Sequence, residues 1–142
     1  LAWPRETNRI RGGPELLREG RALDAFTPHR VLVVDDNRDV ANSVASLLRL
    51  LGHTVLPVYD GATALAMSSE FRPEVAILDL SMPGIDGFEL ARRLRAAFKP
   101  LKIVALTALP ETMVWTKERV GDFDARLFKP ATAQDLMGAL TT

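Results

Sequence analysis

From Val31 onward, short apolar runs rich in β-branched residues alternate with segments whose apolar residues recur every three to four positions. The runs are VLVVD from Val31, TVLPV from Thr54, EVAILDL from Glu74, KIVALT from Lys102 and ARLFK from Ala125. Each is too short for a helix, and most are continuously apolar, the pattern of strands covered on both faces in a parallel sheet. The intervening periodicity predicts helices over 38–51, 62–71, 86–98, 111–120 and 132–140. In the first, Val40, Val44, Leu47, Leu48 and Leu51 share a face, and Gly52 supplies the stop. In the third, Phe88, Leu90 and Leu94 are the packing residues and the arginines form a solvated face. Asp86 with Glu89 and Thr132 with Asp135 are spaced like capping boxes. Five strand–helix units without a repeated motif predict an α/β domain built on a doubly wound five-stranded parallel sheet.

The size of the chain suits one such domain, since 142 residues with 47% hydrophobic content supply a single core. Eighteen basic and eighteen acidic residues cancel, so no global field draws the chain to nucleic acid or to an anionic membrane. No apolar run approaches the roughly eighteen residues of a membrane helix. The absence of cysteine excludes disulfides, thiolate metal sites and a cysteine nucleophile, and suits a reducing cytoplasm. Residues 1–29, with Pro4 and the Gly12-Gly13-Pro14 breaker, read as a linker in which Leu16, Leu17 and Leu23 could share a short helical face. Residues 30–142 are the folded domain. A start at Leu1 points to a piece of a longer polypeptide, and no effector module follows the last predicted helix. His29 and His53 read as surface residues far from any second ligand.

Against this scaffold the polar residues that end strands stand out. Asp35 and Asp36 close the first run, Asp79 the third, Thr107 the fourth and Lys129 the fifth. In open α/β sheets ligands bind outside the carboxyl ends of strands, where the winding reverses, so all five converge on the expected edge. Three carboxylates brought together resist ionisation unless a cation joins them. Mg²⁺ suits the set best, because it prefers oxygen ligands and is commonly held by one or two carboxylates beside a phosphate. Lys129 offers a point charge and Thr107 a hydroxyl for the oxygens of a transferring phosphoryl group. A carboxylate can be the nucleophile in such a transfer.

The ordered motifs VLVVDDN, ILDLSMPGIDGFEL, IVALTA and FKP resemble the response-regulator receiver domain of two-component signalling, over about four fifths of the chain. The resemblance implies a CheY-like, flavodoxin-like sheet of order 2-1-3-4-5. It implies that Asp79 is the phosphoacceptor, that Asp36 ligates Mg²⁺ directly and Asp35 through water, and that Ser81 adds a backbone carbonyl. Thr107 would be the switch hydroxyl and Lys129 the phosphate-contacting lysine, with a cis bond to Pro130. The donor would be a phosphohistidine on a sensor histidine kinase or a histidine phosphotransfer protein. VLVVDDNRDVANSVASLLRLLGHTV together with GDFDARLFKP resembles receivers of hybrid sensor histidine kinases. A stand-alone regulator is the alternative.

Two features depart from the family pattern. Arg126 stands where many receivers carry an aromatic switch residue, so phosphorylation is expected to reorganise a charged contact on the face of the fourth and fifth helices. Asp122 holds a place common to glycine, which implies a shifted end for the fourth helix. Leu109 and Ser81 occupy positions that influence water access to the phosphoaspartate. Met113 and Trp115 fall in the fourth helix, as core residues or as a partner anchor. Two other classes are compatible with single motifs. One is a haloacid-dehalogenase-type phosphatase, for which LDLSM lacks the second acid. The other is a pseudo-receiver that only binds, against which all five polar positions speak.

Overall fold

A computed structural model of the protein describes residues 27–108 and 120–141. Five strands form one sheet: β1 (Arg30–Val34), β2 (Thr54–Val58), β3 (Val75–Asp79), β4 (Lys102–Thr107) and β5 (Ala125–Phe128). All pairings are parallel, and the order is β2-β1-β3-β4-β5, as the resemblance implied. The four described helices of more than one residue are α1 (Arg38–Leu50), α2 (Gly61–Phe71), α3 (Gly87–Ala97) and α4 (Ala133–Thr141). Of the helix expected over 111–120 only Val120 is described. Leu109, Met113, Trp115 and the leucines of residues 1–26 lie outside the described residues.

The continuous apolar runs become strands because each alternate side chain has its own core to enter. Leu32, Val34, Ala76, Leu78, Ile103 and Ala105 point to one face, where Ala64 of α2 and Leu90, Ala91 and Leu94 of α3 cover them. Val31, Val33, Val75, Ile77, Val104, Leu106, Ala125 and Leu127 point to the other, under Ala41, Val44, Ala45 and Leu48 of α1 and Leu136, Ala139 and Leu140 of α4. β2 is an edge strand, which is why Pro57 is tolerated within it.

Helix starts follow from local chemistry. The side chains of Asn37, Asp60 and Asp86 accept from the backbone N–H groups of Val40, Thr63 and Glu89, each such cap being worth about 1 kcal/mol. Thr132 and Asp135 form the reciprocal box: each side chain accepts from the other's backbone N–H. At Asp86 only half the box forms, because the Glu89 carboxylate turns to Arg92 and Arg93. α1 stops where Gly52, at φ 99°, turns the chain and donates to the Arg49 carbonyl.

Two sequence expectations need correction. Arg95 is not part of a solvated face. Its guanidinium donates to the carbonyls of Leu101 and Asp122 and to Oδ2 of Asp124, tying the end of α3 to the approaches of β4 and β5. His53 is not a surface residue: it is 6% exposed, its Nδ1 accepts the backbone N–H of His29 at 3.0 Å, and the two rings stack 5.5 Å apart. The turn at Gly52 folds it beneath the start of β1, where the Thr54 N–H donates to the His29 carbonyl.

Burial, then the neighbouring His29, hold the His53 pKa below its ordinary value, with Glu74 opposing. The unfolded chain therefore takes up this proton first, and stability is lost as pH falls below the ordinary histidine value of about 6.5. Urea unfolding at pH 7.5 and pH 5 is expected to show a smaller acid-side loss for His53→Asn than for wild type. Equal losses would exclude His53 as the source.

Candidate functional site

Parallel register assembles the site. Val34 pairs with Leu78, so the residues that follow, Asp35 and Asp79, emerge side by side at the carboxyl edge of the two central strands. Here the winding reverses, since β1 leads outward to β2 while β3 lies on its other side. Asp35, Asp36 and Asp79 each place a carboxylate oxygen within 4.8 Å of the others. Asp35 and Asp79 are buried and Asp36 is exposed, which leaves one open side.

Lys129, just beyond β5, reaches back across the edge. Its Nζ lies 2.7 Å from Oδ2 of Asp35 and 3.3 Å from Oδ1 of Asp79. The Lys129 N–H is fixed by the Thr107 carbonyl at 2.9 Å, and its bond to Pro130 is cis, as expected. Thr107 is buried at the end of β4, one residue beyond the register partner of Asp79. Ser81 donates its N–H to Oδ1 of Asp79 at 3.4 Å. All six residues singled out in the sequence thus gather at this edge.

The electrostatics are those of a cation site. Burial and the adjacent Asp35 push the Asp79 pKa up to about 6, while Lys129 pulls the other way. Burial works against the charge of Lys129, but its short contact with Asp35 and the charges of Asp79 and Asp35 hold its pKa above the ordinary value. Oδ2 of Asp35 is fully buried and lacks a hydrogen bond of normal geometry, so the ammonium compensates it as a charge at short range. One ammonium against three carboxylates leaves a local excess of negative charge. An oxygen-only donor set with such an excess and a buried, unbonded oxygen fits a hard divalent cation, Mg²⁺ above all.

Two contributors escaped the sequence reading. Asn37 donates its N–H to Oδ1 of Asp35 at 2.9 Å while capping α1, so one residue ties the acid to the helix. An Asn directly before a helical pattern was the available signal. Gly87, first in α3, packs against the strand that carries Asp79. A Cβ there would lie 2.2 Å from the Asp79 carbonyl oxygen and 2.7 Å from Leu80 Cα. Arg126 is buried on β5 with its guanidinium 4.6 Å from the centre of the Phe128 ring.

A doubly wound parallel sheet with an acidic triad and a lysine at its switch point defines a class of α/β domains with a charged site at one carboxyl edge. Residues 31–141 match the family model of the response regulator receiver domain, and the chain belongs to that family. It is 38% identical over 115 residues to response regulator MprA of Mycobacterium ulcerans, covering 78% of this chain and 48% of that protein. Identity to MprA of Mycobacterium avium is 37%, covering 78% and 49%. The chain thus spans about half the length of the curated relatives it matches. Among solved structures it resembles a CheY-like receiver domain from Methylobacillus flagellatus, with a TM-score of 0.68, 30% identity and coverage of 78% and 93%. CheY4 of Vibrio cholerae aligns with a TM-score of 0.71 at 29% identity, covering 80% and 97%.

Proposed function

We propose that this receiver accepts a phosphoryl group onto Asp79 from a phosphohistidine, borne by a sensor histidine kinase or a histidine phosphotransfer protein, and thereby switches its partner interactions. The convergence of three carboxylates and one lysine about a buried, unbonded carboxylate oxygen carries this reading. Asp36 and Asp79 would hold Mg²⁺ directly, Asp35 through water, and Ser81 through its backbone carbonyl. When bound, that ion supplies positive charge for the phosphoryl oxygens.

An oxygen of Asp79 attacks phosphorus as the P–N bond of the donor breaks. The imidazole nitrogen keeps the bonding electrons and takes a proton from solvent. Lys129, already 3.3 Å from Asp79, follows the charge onto the phosphoryl oxygens, and the Thr107 hydroxyl donates to another. The phosphorylated form then shifts the equilibrium between conformers.

Residues 1–29 serve in this reading as a linker to residues 30–142, in the cytoplasm, as part of a hybrid sensor histidine kinase. A parent chain without a phosphoacceptor histidine and ATP-binding motifs would instead mark a stand-alone regulator. Among the described residues no helix is long and apolar enough to cross a membrane.

Incubation with acetyl phosphate and Mg²⁺ is expected to add one phosphoryl mass to the intact protein, and none with chelator or in Asp79→Asn. The variant should be at least as stable as wild type at neutral pH. The raised pKa means that the ionised carboxylate opposes folding there, and asparagine removes that cost. An adduct of equal yield in the variant would refute Asp79 as the acceptor.

A further inference from the structure

Outside the cradle the same edge carries a cation that the acceptor chemistry leaves unused. Arg38 is the first residue of α1, two positions after Asp36, and is exposed. A cation there opposes the helix dipole, which favours anions at the N-terminus. Its guanidinium is nonetheless fixed, lying 4.2 Å from the centre of the Tyr59 ring. Tyr59 is itself held: its hydroxyl donates to Oδ1 of Asn42, one turn further along α1, at 2.7 Å. The β1–β2 register pairs Val34 with Val58, and the Asp35 N–H donates to the Val58 carbonyl at 3.2 Å. Tyr59 therefore follows β2 directly beside the point where Asp35 and Asp36 leave β1. Asn37 pins the intervening backbone by bonding Asp35 and capping α1.

We propose that Arg38, held on Tyr59, recruits the phosphoryl donor by attracting its phosphate dianion to the exposed side of the cradle. The residue leaves the chemical step to Asp79 and Lys129. Its setting supports recruitment over structure, because the described contacts of the guanidinium are to a ring face and leave its N–H groups to solvent. A rim charge of this kind acts on association and on its salt dependence. The inference rests on the acceptor reading above.

The test uses acetyl phosphate as donor, with Mg²⁺ in excess, and follows phosphorylation of wild type, Arg38→Ala, Arg38→Lys and Tyr59→Leu. At low ionic strength Arg38→Ala is expected to lower the apparent second-order rate constant about threefold to fivefold, the scale of one exposed charge contact. The gap should close near molar salt, where screening is nearly complete. Arg38→Lys should restore most of the rate, and Tyr59→Leu should show a smaller loss with the same salt response. Dephosphorylation and the thermal midpoint of Arg38→Ala should match wild type. An unchanged rate constant at low salt overturns the proposal. A salt-independent loss accompanied by faster dephosphorylation or a lowered midpoint also overturns it, since that is the signature of a structural role. If the acceptor reading itself is wrong, wild type takes up no phosphoryl group, and both ideas fall together.

Discussion

Lys129→Ala is expected to lower the free energy of unfolding by about 3 kcal/mol without divalent cation, and to slow phosphorylation of Asp79 about a hundredfold or more. The stability effect comes from Asp35, which is 1% exposed and whose Oδ2 has the ammonium 2.7 Å away as its compensating charge. Removing the lysine leaves that charge buried beside two further acids without its compensating partner. Mg²⁺ should restore part of the loss, because a cation that binds only the folded form stabilises it by mass action. Urea titrations with and without Mg²⁺ separate the two terms. A variant as stable as wild type without metal would mean that Lys129 is not what permits the acids to be buried.

Gly87→Ala should act on both the fold and the site. The added methyl would fall 2.2 Å from the Asp79 carbonyl oxygen and 2.9 Å from its carbonyl carbon, and both obstacles are backbone. No rotamer change relieves such a clash, so α3 must retreat from the end of β3. The retreat strains the bond from the Gly87 N–H to the Leu80 carbonyl, now 3.1 Å. Overpacking of this kind costs about 1–3 kcal/mol. The displaced strand end carries Asp79, the proposed acceptor, and misplacement by about 1 Å can cost a hundredfold in rate. Thermal unfolding and phosphorylation rate, measured on the same preparation, are expected to fall together. A variant that keeps both would show that α3 can move without dragging Asp79.

The sheet was legible because its strands are buried on both faces, and a run such as VAILD has few other ways to satisfy that pattern. The site was legible because strand ends converge wherever strands run parallel, so Asp35, Asp79, Thr107 and Lys129 could be grouped from position alone. What escaped notice depends on loops that approach in space. Arg95 reads as one of three similar arginines in RRLR, and only the folded chain separates it from Arg92 and Arg93, which stay with Glu89. His53 sits in a turn beside an exposed glycine, with no periodicity to mark its burial against His29. Gly87 looks like an ordinary helix-start glycine until the end of β3 is known to lie against it. Strand order itself came from family likeness, since the alternation of elements leaves several parallel orders open.

The alternation of side chains along the strands has a further consequence. Most apolar strand residues belong to one of two clusters, and the sheet stands between them as a septum. A change of volume under α1 and α4 meets the backbone of the strands before it reaches the α2 and α3 side. The reactive edge is built from the ends of those strands rather than from either cluster. A change of residues on one flank is thus separated by the septum from the other flank, while the carboxyl edge of the strands keeps its place.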